Sequence, residues 1–396
     1  MELKGKHIAI ALRGVVDERT KKLAHALATC GADVWIHAFT FNGITQDDHS
    51  YCVKYHESVE PKGSELSSRI LRVAHNLTIK KIQARLRTLN QGEFGYKYIS
   101  EVLISENPDL IIAINADTLA ACAQAAQKLN IKYVYESYEF WPDHAKEQAC
   151  VLNKRQRNFL LESERTYAQS AALVVSVSGY LADEYTSELH LKRRPEVVLN
   201  APDTVASMTS PVHKPLKALF LGNIQRERNV QTMLSSIAQV QEASLTFQGR
   251  GSMVEELQAE TKRLGASGKV FFNEPVPYNQ VASSASCYDV GIICHEAYNR
   301  QMEGALPNKF FEYLAGGLAV LAPCTKAFEN VENFKSFGMY IETNNPKSIS
   351  KALEYLRDNP DVLFQMKKHA LEESKKYCGD AIGQRIKKVY EGLCDK

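Results

Sequence analysis

Residues 303–322 read EGALPNKFFEYLAGGLAVLA. Pro307 suits the first turn of a helix, because its fixed φ fits there and its missing N–H has no partner to lose. Phe310, Phe311 and Leu314 give that helix an apolar stripe, Gly316-Gly317 stops it, and Leu318–Ala322 follows as a short buried strand. The stretch is therefore a loop feeding a helix N-terminus that carries Asn308 and Lys309, with Glu312 one turn further in. Free N–H groups and the positive dipole end suit a phosphate, and a carboxylate slightly deeper can accept hydrogen bonds from sugar hydroxyls. That combination suggests a nucleotide-sugar site; the competing reading is an ordinary α/β helix with a solvated Lys and Glu.

Working outward, the same alternation of short apolar strand and amphipathic helix runs through most of the chain. His7–Leu12 is a strand, Arg13-Gly14 its turn, Val15–Cys30 a helix and Val34–Phe39 the next strand. The turn has one glycine, so no G-x-G-x-x-G dinucleotide fingerprint is present. Residues 42–62 are irregular and polar. After them come a strand at 110–114, a helix at 117–129, a strand at 133–136, a helix at 146–169, a strand at 173–178, a helix ending at Leu189 and a strand at 197–199. Residues 201–215 hold Pro202, Pro211 and Pro215 without periodicity and read as a linker. A second series follows: strands at 218–221, 245–247, 270–272 and 289–294, helices at 230–240, 253–264 and 279–285, and polar loops at 222–229 and 295–306. Helices at 347–358, 361–377 and 381–394 close the chain. The expected fold is α/β, with two Rossmann-like domains facing each other across a cleft. The expected bounds are 1–205, 206–378 and a C-terminal helix over 379–396 that packs back on the first domain.

The bulk properties narrow the class. The chain has 396 residues, 44% hydrophobic and 24% charged, with a net charge of +2. Two domains are the prior at this length. So small a charge argues against a general nucleic-acid binder, and no stretch approaches the ~18 apolar residues of a membrane span. Nine scattered cysteines form no C-x-x-C pair and no zinc spacing, so a reduced, cytoplasmic protein without a metal site is expected. Between 62 and 100, eight Lys/Arg face two Glu. Two amphipathic helices, or one broken near 76–78, are expected there. In the second, Lys80, Lys81, Arg85 and Arg87 oppose the apolar stripe, which suits either a solvated face or contact with an anionic membrane.

Several segments carry a resemblance. LPNKFFEYLAGGLAVLA (306–322) resembles the donor-site signature of the GT-B glycosyltransferases of family 4, the "group 1" enzymes. LGNIQRERN (221–229) is similar to their phosphate-binding loop, and FQGRGSMVEEL (247–257) to their G-x-G-x-x-x-x-x-L segment. VFFNEPVPYNQVASSASCYDVGII (270–293), YESYEFWPD (135–143), ESERTYAQSAALVVSVS (162–178) and VVLNAP (197–202) resemble further family segments.

The resemblance implies a transferase that moves a sugar from a UDP- or GDP-sugar to a glycan or lipid-linked acceptor in surface-glycan assembly. It implies retention of configuration, no metal and no covalently bound cofactor. Glu312 then falls on the ribose hydroxyls and Arg228 on the diphosphate. Asn223 stands where the family has a second basic residue, for which Arg226 is the substitute. Leu306, Asn308 and Lys309 lie by the donor phosphates or sugar, and Gly14 and Gly249 at turns beside the ligand. The family's sugar-binding Glu position is Gly304, with Glu303 one residue away. Tyr138 occupies the His position of D-x-H-E, and Glu139 remains. An inverting reaction would need a base such as Glu139, Asp143 or His144. An epimerase on the same fold and a non-catalytic partner subunit are the other readings.

Overall fold

Each half of the chain opens with a buried strand, a turn and a helix. His7–Arg13 is β1, its five central residues buried. The following helix begins at Glu18 rather than Val15, because the Asp17 side chain caps it by accepting from the Thr20 N–H at 2.7 Å. The structure is a computed structural model that describes residues 3–40, 52–57, 96–147 and 154–394. The chain divides into two units, Met1–Val198 with Gly383–Lys396, and Leu199–Ile382.

In the first unit the strands are β1, β2 (Asp33–Thr40), β3 (Cys52–Glu57), β4 (Leu110–Ile114), β5 (Lys132–Glu136), β6 (Leu173–Ser176) and β7 (Glu196–Val197). They form one sheet in the order β3-β2-β1-β4-β5-β6-β7. Every pairing is parallel. β4, LIIAI, is buried at every position, as expected of a strand covered on both faces. Residues 383–394 of the last helix belong to this unit. Tyr390 donates to Glu136 at 2.8 Å, and Arg385 bonds the Val197 carbonyl and the Glu196 carboxylate.

The second unit contains β8 (Leu216–Leu221), β9 (Ala243–Gln248), β10 (Val270–Asn273), β11 (Val290–Ile292), β12 (Ala319–Ala322) and β13 (Gly338–Tyr340). Their order is β10-β9-β8-β11-β12-β13, again all parallel. Phe220, Leu245, Phe247, Val290, Leu321 and Leu353 lie at the centre of its core. In each sheet the strand order reverses once, between β1 and β4 and between β8 and β11. Open α/β sheets bind ligands at the carboxyl ends of the strands flanking such a reversal.

The expected alternation of elements is present, with local differences that have physical causes. Residues 199–205 belong to the second unit, not the first: Asn200 bonds Asn308, and the adjoining Ala206 N–H reaches the Ala315 carbonyl. Within the stretch expected to be irregular, 52–57 forms β3 against β2; its alternation is too short to stand out from the polar residues around it. The long helix expected at 146–169 is described as Trp141–Glu147 and Lys154–Ala168. The loop 295–306 contains a helical turn, Arg300–Gly304, capped by Asn299 on the Met302 N–H. Most of the basic stretch at 62–100, including Lys80, Lys81, Arg85 and Arg87, lies outside the described residues. No helix among the described residues is long and apolar enough to cross a membrane.

Candidate active site

At the β8–β11 reversal of the second unit, one aromatic side chain fixes the helix Asn308–Gly316 to both strands. The Tyr313 hydroxyl accepts from the Leu221 N–H at 3.0 Å and donates to the Ile292 carbonyl at 3.1 Å. Its ring fits because position 291 is glycine; a Cβ there would lie 2.3 Å from ring atoms. The helix ends where Gly317 adopts φ +70 and its N–H returns to Leu314 and Tyr313, the left-handed stop that glycine permits. Gly291→Ala should therefore cost about 1–3 kcal/mol of stability by overpacking. A lowered melting temperature, with Tyr313→Phe losing less, checks this.

That anchoring places Lys309 in the first turn of the helix, beside the loop after β8. Its ammonium sits 3.8 Å from the centroid of the Phe220 ring, a cation–π contact. A Cβ on Gly222 would lie 3.6 Å from the same nitrogen. Burial and the charge of Arg228 bring the Lys309 pKa down to about 7, against a weaker upward pull from Glu312. Arg228, on the 3-10 turn Arg226–Arg228, directs Nη1 to the Met302 sulfur at 3.8 Å. Arg226 turns elsewhere: it is exposed and faces Glu256 at 3.5 Å. So Arg228 and Glu312 both act on Lys309, whereas Arg226 pairs with Glu256.

Other expected residues divide between the two units. Asn308 is exposed and accepts from Asn200 at 3.0 Å, and Leu306 lies half-buried in the loop before the helix. Glu303 accepts from the Lys326 N–H at 3.0 Å. Gly249 has φ +156, and a Cβ there would fall 1.9 Å from the Gly222 carbonyl oxygen; one on Gly251 would fall 2.1 Å from that of Ile224. These glycines let the loops after β8 and β9 touch. In the first unit Gly14, φ +95, follows β1 and donates to the Phe39 carbonyl. Glu139 follows β5, and its carbonyl accepts from Ser137 and Tyr185. Among the described residues, no group of three or more His, Cys, Asp or Glu side chains is arranged to hold a metal.

The sequence reading missed His295, which follows β11 in a segment left as loop. It is only 3% exposed. Burial first, then the charges of Arg228 and Lys309, push its pKa down to about 4, against a hydrogen bond to the Met302 backbone. A histidine at the carboxyl end of a strand beside the reversal is the signal that marks it.

Comparisons with known proteins agree with this fold. The family described as "Glycosyl transferases group 1" matches residues 208–375, and "Glycosyl transferase 4-like domain" matches 16–201. No curated protein matches the sequence. Among solved structures, a sucrose-phosphate synthase from Thermosynechococcus elongatus is similar, with TM-score 0.70 and 15% identity over 98% of this chain and 99% of that one. HepE of Anabaena in complex with UDP-glucose gives TM-score 0.68 and 12% identity over 98% and 100%. The lipopolysaccharide outer core galactosyltransferase WaaB gives 0.64 and 15% over 98% and 99%. At these identities the structures speak to the fold, while the two family matches span both units: the chain belongs to the group 1 glycosyltransferases.

Proposed function

We propose that the second unit binds the donor and that Arg228 and Lys309 together grip its diphosphate. The observation that carries this reading is their convergence at the β8–β11 reversal, where the Arg228 charge makes the Lys309 ammonium harder to form. Converging positive charges of this kind suit an anionic ligand. Lys309, rather than Arg226, supplies the positive charge missing at Asn223. The N–H groups at the start of helix 308–316 add to it, and Glu312 takes the ribose hydroxyls. As the sugar departs, the leaving diphosphate gains charge, which this preorganised positive site stabilises. The arrangement supports a metal-independent, retaining transfer from a UDP- or GDP-sugar. HepE, solved with UDP-glucose, favours the uridine form.

The acceptor we infer is a glycan or lipid-linked glycan in surface polysaccharide assembly, reached from the cytoplasmic face of a membrane. The excess positive charge at 62–100 motivates the membrane part.

A thermal-shift panel of UDP, GDP, ADP, TDP and CMP tests the donor assignment. A ligand at ~100 times Kd adds about 2.7 kcal/mol. UDP or GDP should raise the melting temperature, and Arg228→Ala and Glu312→Ala should each abolish the rise. Wild-type shifts in both variants would sink the assignment.

A further inference from the structure

We propose that His295 is a third group of the donor-phosphate cluster, taking up a proton from solvent as the donor diphosphate binds and then donating Nε2–H to it. This rests on the donor reading above and adds to it a residue and a proton. In the free protein the imidazole is almost wholly enclosed, and its Nε2 has no hydrogen-bond partner. The bond to the Met302 backbone strengthens its basicity, as acceptance by a carbonyl does. The Met302 N–H is already taken by Asn299. So Nδ1–H donates to the carbonyl and Nε2 is left as a bare lone pair. A buried polar atom without a partner costs free energy in the free protein, and a ligand that satisfies it recovers that cost on binding.

The charges that act on this ring are Arg228, from the turn after β8, and Lys309, from the first turn of helix 308–316. Lys309 in turn feels Glu312 and the Cys294 thiol at the end of β11. From the turn 300–304, Glu303 is engaged by the Lys326 N–H. Two cations beside an enclosed imidazole hold it neutral. Two negative charges on an incoming diphosphate reverse that balance, since an opposite charge within a few ångströms favours protonation. Met302 links the events: it receives the Arg228 guanidinium at its sulfur and the His295 ring at its backbone. The protonated ring keeps the Met302 bond and adds a charge-assisted bond to a phosphate oxygen.

Calorimetry of the full chain with UDP-glucose, in two buffers of different ionisation enthalpy, counts the protons. UDP-glucose is the probe because its diphosphate does not titrate in this range. Near ~pH 6 Lys309 already carries its proton, so uptake there reports His295. The wild type should take up protons, and its affinity should rise toward lower pH by up to ~10-fold per unit. In His295→Gln, which can still donate to Met302, both effects should vanish near ~pH 6, while the uptake by Lys309 near ~pH 8 persists. Binding without proton uptake near ~pH 6, or uptake unchanged in His295→Gln, would overturn the assignment. Failure of UDP-glucose to bind at all would strike the donor reading instead. Nitrogen-15 shifts of labelled histidine in the wild type need no variant: a ring that turns cationic with UDP-glucose supports the proposal, and one that stays neutral overturns it.

Discussion

Lys309→Met weakens UDP-glucose binding by ~10–100-fold, the range for losing one hydrogen bond to a charged group. Methionine keeps an unbranched apolar stem only one atom shorter, so the loss reports mainly the charge. The pH profile makes the expectation specific. With a pKa near 7 in the free protein, Lys309 is cationic below neutrality and loses its proton as pH rises. The diphosphate binds the cationic form, so affinity falls above about pH 7, where the proton must be regained on binding. Lys309→Arg removes this slope, because guanidinium stays charged throughout, and it keeps the affinity within ~10-fold of wild type at low pH. Binding in Lys309→Met that matches wild type at every pH would remove Lys309 from the site. A uniform loss in Lys309→Arg, with the slope retained, would show that some other group titrates.

The parts legible in the sequence are those written in local pattern. The apolar runs of β1, β4, β8 and β12 gave the alternation of elements, and Gly316-Gly317 marked the end of the helix carrying Lys309 and Glu312. That helix could be found because proline, two phenylalanines and two glycines sit at the spacing its geometry demands. What local pattern does not encode is pairing. Arg226 and Arg228 are two residues apart in one polar loop, and the sequence treats them alike. Only packing sends one to Glu256 and the other to Met302. His295 was passed over for the same reason: its ring meets the turn 300–304 at the Met302 backbone, and that turn carries no periodic signal. Gly249 reads in the sequence as a turn glycine beside the ligand; the structure adds that a Cβ there would strike the Gly222 backbone. A glycine's freedom is visible in sequence, whereas the atom it makes room for is not.

Packing also sets the largest stability effect, at Asp289. This carboxylate, fully buried just before β11, accepts from the Lys217 N–H at 2.9 Å, the His213 N–H at 3.2 Å and Lys367 Nζ at 2.7 Å. Lys367, in the middle of helix Pro360–Ser374, is equally buried and also donates to Ser210 and the Tyr288 carbonyl. Burial draws its pKa down despite the carboxylate. Asp289→Ala strands the ammonium and two backbone donors, so the expected loss is about 3–5 kcal/mol. Replacing both ends, as Asp289→Leu with Lys367→Met, removes both buried charges and should recover part of it, leaving the cost of the unpaired N–H groups. Urea unfolding followed by circular dichroism measures both variants. Trp35 and Trp141 both lie in the first unit, so tryptophan fluorescence in the same titration reports the half of the chain without the mutation. If the single variant costs less than about 1 kcal/mol, or the double variant costs more than the single, the pair does not hold β11 and the closing helix as its geometry implies.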